Sequence, residues 1–210
     1  MRVARRIEPA DRLRIESSVL AAERDTSGEL VVAVVRACDA YGSPGWRLGV
    51  LLALFAVAGL GVFVPATPLA GLLGAQLAAL LLGHALARLD PVRRRLVSAA
   101  LSDARAAERA HRAFAETGLS RTPGRTGVLL FVALFERRVI VLGDEGIAGA
   151  LDPEESFDDV VAEAVDDLRR GCATDGIVAA VERVGSFFAR HLPAGPRDPS
   201  ALPTPVVFEE

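Results

Sequence analysis

The sequence predicts an α/β chain: a small α/β/α layered domain with a mixed sheet, interrupted by a two-helix transmembrane hairpin. Three observations predict it. Leu30–Val35 (LVVAVV) is continuously apolar and β-branched, the pattern of a strand covered on both faces. Gly127–Phe135 (GVLLFVALF) and Val139–Leu142 (VIVL) repeat that pattern around a polar Glu136-Arg137-Arg138 turn, which reads as an antiparallel strand hairpin. Between the first strand and the later two, residues 48–87 hold no acid and no arginine, and Pro65-Ala66-Thr67-Pro68 divides them.

Taken in order, Glu8–Arg24 sets Leu13, Ile15, Val19, Leu20 and Ala22 among charges and meets Ser27-Gly28, an amphipathic helix and its stop. The first strand follows. A short loop with Tyr41, Gly42, Pro44 and Trp46 leads to the apolar stretch, where Trp46 beside Arg47 is placed as an interfacial anchor.

Leu48–Val64 and Leu69–Ala87 are 17 and 19 residues long, against roughly 17 to 25 needed to cross a hydrocarbon core. A buried helical hairpin of a soluble protein would keep a polar face, and neither segment has one. Small residues recur at every fourth position, Gly45, Gly49, Ala53, Val57 and Gly61, then Gly71, Ala75, Ala79, Gly83 and Ala87. Such faces let helix backbones approach, so they are expected to meet within the hairpin or across two copies of the chain. Gln76 and His84 are the strongly polar side chains inside the spans, and His84, about one turn from the end, is expected to be structural.

Arg36 and Arg47 precede the hairpin and Arg88, Arg93, Arg94 and Arg95 follow it, while its turn is uncharged. Both flanks, and with them both termini, are therefore expected on the cytoplasmic side. The fold makes the same demand independently, because an apolar strand such as Leu30–Val35 needs ladder partners and these lie beyond the hairpin. Met1–Leu20 is polar and has no apolar core of a secretory signal. A reducing cytoplasm suits Cys38 and Cys172 as thiols, and they have no metal-ligand spacing.

After the hairpin, Asp90-Pro91 opens a helix expected to run to Thr117, with Leu96, Val97, Leu101, Ala104, Ala107 and Phe114 on one face and Gly118 as its stop. The strand hairpin comes next. Asp152-Pro153-Glu154-Glu155 opens a helix that ends near Arg170-Gly171, and Asp175-Gly176 leads a last one to about His191. The expected division is a discontinuous α/β domain at 1–46 and 89–193, the membrane hairpin at 47–88, and a proline-rich tail without a core at 194–210.

Net charge is −3 and the 24 basic residues, all arginine, are interspersed with acids, which with 5% aromatics argues against nucleic acid as a partner. The Arg93–Arg95 run reads as a topology determinant with affinity for anionic lipid. No phosphate loop, HExxH or G-x-S-x-G motif occurs.

Four stretches, TSGELVVAVV at Thr26–Val35, RTGVLLFVALFERRVIVLGDEGI at Arg125–Ile147, RRGCATDGIVAAVERVG at Arg169–Gly185 and the closing LPAGPRDPSALPTPVV, resemble the TPM domain family. They look most like a bacterial membrane branch with a transmembrane hairpin after the first strand, in which a helix such as AHRAFAETGL precedes the RTG strand. The resemblance implies an α/β/α domain in the bacterial inner membrane; for some relatives metal binding and acid phosphatase activity have been proposed. This chain departs from the family's amino-terminal Leu-Asp turn and replaces its Asp-Tyr-Ala helix with the membrane insert.

Glu136, Asp144 and Asp152 occupy or adjoin the acidic positions of that matching hairpin and its exit loop, and are the candidate metal ligands, for calcium or magnesium. Carboxylate clusters are what such hard cations require. The competing reading is a capped helix start, with Asp152 as N-cap, Pro153 at the first position and Glu155 at the third. Asp144-Glu145-Gly146 at a strand exit is equally a place for function and a turn. Arg137, Arg138, Arg169 and Arg170 could supply positive charge to a phosphate, and solvated surface arginines are the plainer reading. His111 and His191 have no Ser or Cys partner in a motif, and Cys172 after Gly171 would be reactive if a helix amino terminus faced it, a plain loop thiol being the simpler reading. The leading expectation is a membrane-anchored binding or regulatory module with an unknown protein partner; the alternative is a divalent-metal-dependent acid phosphatase.

Overall fold

The computed structural model describes residues 7–24, 26–64, 66–122, 124–151, 156–193 and 206–209. The chain forms two compact units, one from Met1–Cys38 with Asp103–Glu210 and one from Asp39–Ser102.

The first unit is built on a four-stranded mixed sheet of order β3-β2-β1-β4. β1 (Glu29–Val35) pairs in parallel with β2 (Gly127–Ala133) over its full length, from Glu29 opposite Gly127 to Val35 opposite Ala133. β3 (Arg138–Gly143) returns antiparallel to β2, as its turn sequence predicts. Successive residues along a strand alternate faces while paired residues on neighbouring strands share one, and both faces here are apolar. Leu30, Val32, Val34, Val128, Leu130 and Val132 pack on helices α1 (Pro9–Ala22), α7 (Asp158–Arg170) and α8 (Ala173–His191) through Ile15, Val19, Leu168, Val181 and Phe188. Val31, Ala33, Val35, Leu129, Phe131 and Ala133 pack on α5 (Ala99–Thr117) through Ala110 and Ala113. This is the layered α/β/α arrangement, and it explains why β1 and β2 read as unbroken apolar runs rather than alternating ones.

Three elements differ from expectation. The helix opened by Asp90-Pro91 is broken into α4 (Asp90–Leu96) and α5, because Val97 turns extended and the Ser98 hydroxyl accepts the Leu101 N–H at 3.3 Å, starting a new helix. A short α6 (Glu145–Ala150) follows β3, with Asp144 as its N-cap. The closing residues are not all a coreless tail: Val206–Glu209 forms β4, parallel to β1, with Val206 6% exposed. Edge pairing needs only four residues there, too few for a composition dominated by proline to reveal. The helix opening expected at Asp152–Glu155 lies outside the described residues.

The second unit contains α2 (Ser43–Phe63) and α3 (Leu69–Leu86), two helices long and apolar enough to cross a membrane, and α4. Phe55, Val62, Phe63 and Leu69 are each 70% exposed or more. Exposed apolar surface of this extent is compatible with contact to lipid. The small-residue seam closes at the end where the chain enters and leaves the hairpin. A Cβ on Gly83 would lie 2.4 Å from Gly49 Cα, and one on Gly49 would lie 2.6 Å from the Leu80 carbonyl oxygen. Farther along, Gly61 meets nothing within 4 Å, and Gly71 meets only Thr67 and Pro68. Trp46 stacks on His84 at the closed end, with ring centroids 4.6 Å apart, so the one polar ring of α3 packs on the expected interfacial anchor.

Candidate functional site

The sheet register places the sequence-predicted acids. β3 runs opposite to β2, so Glu136, in the β2–β3 turn, and Asp144, after β3, stand at opposite ends of the sheet. At roughly 3.3 Å per residue, their backbones are on the order of 20 Å apart. A calcium or magnesium ion holds its oxygens within about 2.6 Å, so Glu136 and Asp144 do not ligate one ion. Asp152 lies outside the described residues.

Each acid has protein partners instead. Asp144 is buried, 6% exposed, and its Oδ1 accepts the Glu145 N–H at 2.8 Å as the cap of α6. The same carboxylate takes a fork from Arg125, Nη2 at 2.9 Å and Nε at 3.2 Å, and the guanidinium also grips Glu145. Hydrogen bonding to Asp144 raises the Arg125 pKa despite some desolvation. The backbone is drawn into the same knot. Arg125 has φ of 50°, its carbonyl accepts the Gly146 N–H at 2.9 Å, and a Cβ on Gly146 would lie 2.4 Å from the Gly124 oxygen. A side chain at 146 would force this turn open. Charge-assisted bidentate pairing is strong and directional, so the group fastens the β3–α6 exit to the entry of β2.

At the other end, the carboxyl ends of the parallel strands β1, β2 and β4 gather. Glu136 Oε1 accepts the Cys38 N–H at 2.8 Å, and Phe135 N–H donates to the Arg36 carbonyl at 2.9 Å, prolonging the β1–β2 association past the strands. Arg138 pairs with Asp103. Arg109 on α5 pairs with Glu116 at 3.1 Å and with Glu209 of β4. Burial works against the Arg109 charge, but Glu209 and Glu116 outweigh it, and its pKa is raised. Open α/β sheets bind ligands at this end, which makes it the better-placed surface. Among the described residues no group of three or more His, Cys, Asp or Glu is arranged to hold a metal ion.

The other singled-out residues are dispersed. Arg169 and Arg170 pair with Asp166 and Asp167 along α7. His191 stacks on Phe187, and Cys172, exposed, precedes α8. Arg109 and Glu209 were not among the predicted site residues, since a lone arginine on a helix and an acid near the end of the chain carry no spacing signal.

The TPM domain family model matches residues 94–187. Those residues belong to the TPM domain family. The match begins after the apolar hairpin, yet β1, before it, pairs with β2 along its whole length. The TPM fold in this chain is thus completed by residues on both sides of the matched stretch. The NMR structure of the BA42 protein from the psychrophilic bacterium Bizionia argentinensis has the same fold, with a TM-score of 0.59 at 15% identity over 99% of this chain and 98% of that one. No curated protein matches this chain.

Proposed function

We propose that the chain is a membrane-anchored TPM domain that presents its sheet unit on the cytoplasmic face of a bacterial inner membrane, as a binding or regulatory module. One observation carries this reading. Two exposed apolar helices are inserted between strands that pair in full register, so the polypeptide leaving β1 must come back to the side it left. Two spans satisfy that condition and one would not. Flanking arginines, Arg47 before and Arg88 and Arg93–Arg95 after, support the cytoplasmic side.

The carboxylates support binding over hydrolysis. A metal-dependent phosphatase built on Glu136 or Asp144 would have to take a carboxylate from a backbone N–H or a guanidinium that already holds it. The test uses full-length protein in inverted membrane vesicles and in spheroplasts, with tags at each end. Both tags are expected to be cut by protease in inverted vesicles and protected in spheroplasts. Cleavage of one tag from each side would overturn the two-span topology. Melting of detergent-solubilised protein with calcium, magnesium or manganese, followed by an aryl phosphate assay, addresses the catalytic alternative. A metal-dependent upward shift with turnover would displace the binding reading.

A further inference from the structure

Within Asp39–Ser102 the charges divide by sign and by use. The segment holds five arginines, Arg47, Arg88, Arg93, Arg94 and Arg95, and two acids, Asp39 and Asp90. Both acids are engaged within the unit: Asp39 Oδ1 accepts the Tyr41 N–H at 3.3 Å, and Asp90 pairs with Arg93 at 3.3 Å. Arg93 is turned inward, its side chain 22% exposed and its other terminal nitrogen reaching the Ala40 carbonyl at 3.5 Å. Arg47, Arg88 and Arg95 are exposed and form no ion pair among the described residues. A topology signal requires only that arginines flank the spans. The fold does more, using one as an internal staple and leaving three with their charge uncompensated.

The closed end of the hairpin brings two of these three to one level. A Cβ on Gly45 would lie 3.0 Å from the His84 ring and 3.5 Å from Ala87 Cβ, so Arg47, two residues along α2, and Arg88, next after Ala87, flank the same contact. Trp46 stacks on His84 there and is still 53% exposed. Deeper along the two helices Val50, Leu51 and Leu54, and Leu82 and Leu86, are exposed. We infer that this end is a binding surface for anionic phospholipid, with headgroup phosphates at Arg47, Arg88 and Arg95 and acyl chains against the exposed aliphatic side chains. Guanidinium groups match phosphate oxygens in charge and in fork geometry, and their stems lie along apolar surface while the charged heads stay in the headgroup layer. Charge complementarity selects the occupant, since a zwitterionic lipid offers no net charge to three uncompensated cations. The inference rests on the membrane-anchoring reading and names the lipid that the charged end selects.

Trp46 is the only tryptophan and adjoins Arg47, so its fluorescence reports which lipid is beside it. The full-length chain is reconstituted in vesicles of equal parts phosphatidylglycerol and phosphatidylcholine, with bromine near the carbonyl end of the acyl chains of one lipid or the other. Both leaflets hold the same mixture, so the direction of insertion does not move the readout. Quenching is expected to show phosphatidylglycerol favoured beside Trp46 by about fivefold, the scale of one arginine at an anionic surface. Arg47→Gln, Arg88→Gln and Arg95→Gln together should bring the two lipids to parity, and Arg47→Lys, Arg88→Lys and Arg95→Lys together should keep most of the preference. Millimolar inorganic phosphate at matched ionic strength should leave it unchanged. Equal quenching by the two brominated lipids in the wild-type chain overturns the inference and leaves the anchoring reading standing. Quenching by neither overturns both. A preference that survives the glutamine variant, or that is lost equally in the lysine variant, overturns the assignment to these charges, and a preference abolished by phosphate assigns them to a free anion instead.

Discussion

Asp144 shows how one side chain can join two elements. Its carboxylate caps α6 and receives the Arg125 fork while 6% exposed, so Asp144→Ala removes both the cap and the fork and leaves Arg125 paired with Glu145 alone. The cap alone is worth about 1 kcal/mol, and urea unfolding of the solubilised protein should show at least that loss. Phe188 is fully buried beneath the sheet, close enough that a Cβ on Gly28 would lie 2.7 Å from its ring. Phe188→Ala is therefore expected to cost about 3–5 kcal/mol, read from the same unfolding curves. The arginine pairs set a pH expectation. Arg125 has its pKa raised mainly by Asp144, and Arg109 has its own raised by Glu209 and Glu116 against burial. A cation with a raised folded pKa contributes stability that is complete below its unfolded value and is lost only as pH climbs through the folded one. For arginine that window lies far into alkali, so melting between about pH 7 and pH 9 should be flat with respect to these pairs.

The hairpin and the edge strand behave differently as elements. In the hairpin, contact is local: Gly49 and Gly83 let the two backbones meet, and Gly61 has open space. Gly83→Val should push the helices apart and withdraw Trp46 from His84, whereas Gly61→Ala should leave them in place. Trp46 is the only tryptophan, so its fluorescence in detergent reports the difference directly. Equal spectra for both variants would show that the seam does not depend on Gly83. In the sheet, β4 meets β1 over four residues, while β2 meets it over seven. Amide exchange should accordingly be fastest on the β4 side and slowest at β2.

At the scale of the molecule, the core of the sheet unit draws, among the described residues, on none of Asp39–Ser102. Replacing that segment with a glycine–serine linker is expected to give a water-soluble protein that keeps the cooperative unfolding of the α/β/α unit. Circular dichroism and thermal melting check this, and an aggregated or molten product would show that the sheet needs the insert. The same independence explains how an apolar helical hairpin can lie within a folding unit without disturbing its ladder: β1 and β2, on either side of it in sequence, still pair over their full length.

The sequence by itself determined the continuous apolar strands, the order of the main helices and the two long apolar helices, because each is a local pattern of hydrophobicity long enough to stand above composition. Asp90-Pro91, the Glu136-Arg137-Arg138 turn and Gly171 also carry their own conformational chemistry, and each sits where that chemistry places it. The tertiary structure alone decided which carboxylates meet. Glu136 and Asp144 are eight positions apart in sequence, but antiparallel pairing sends them to opposite ends of the sheet, while Arg109 and Glu209, a hundred positions apart, are brought into contact. The same holds for β4, whose four residues have too little pattern to announce a strand and become one only because the edge of β1 has unmet backbone groups to offer.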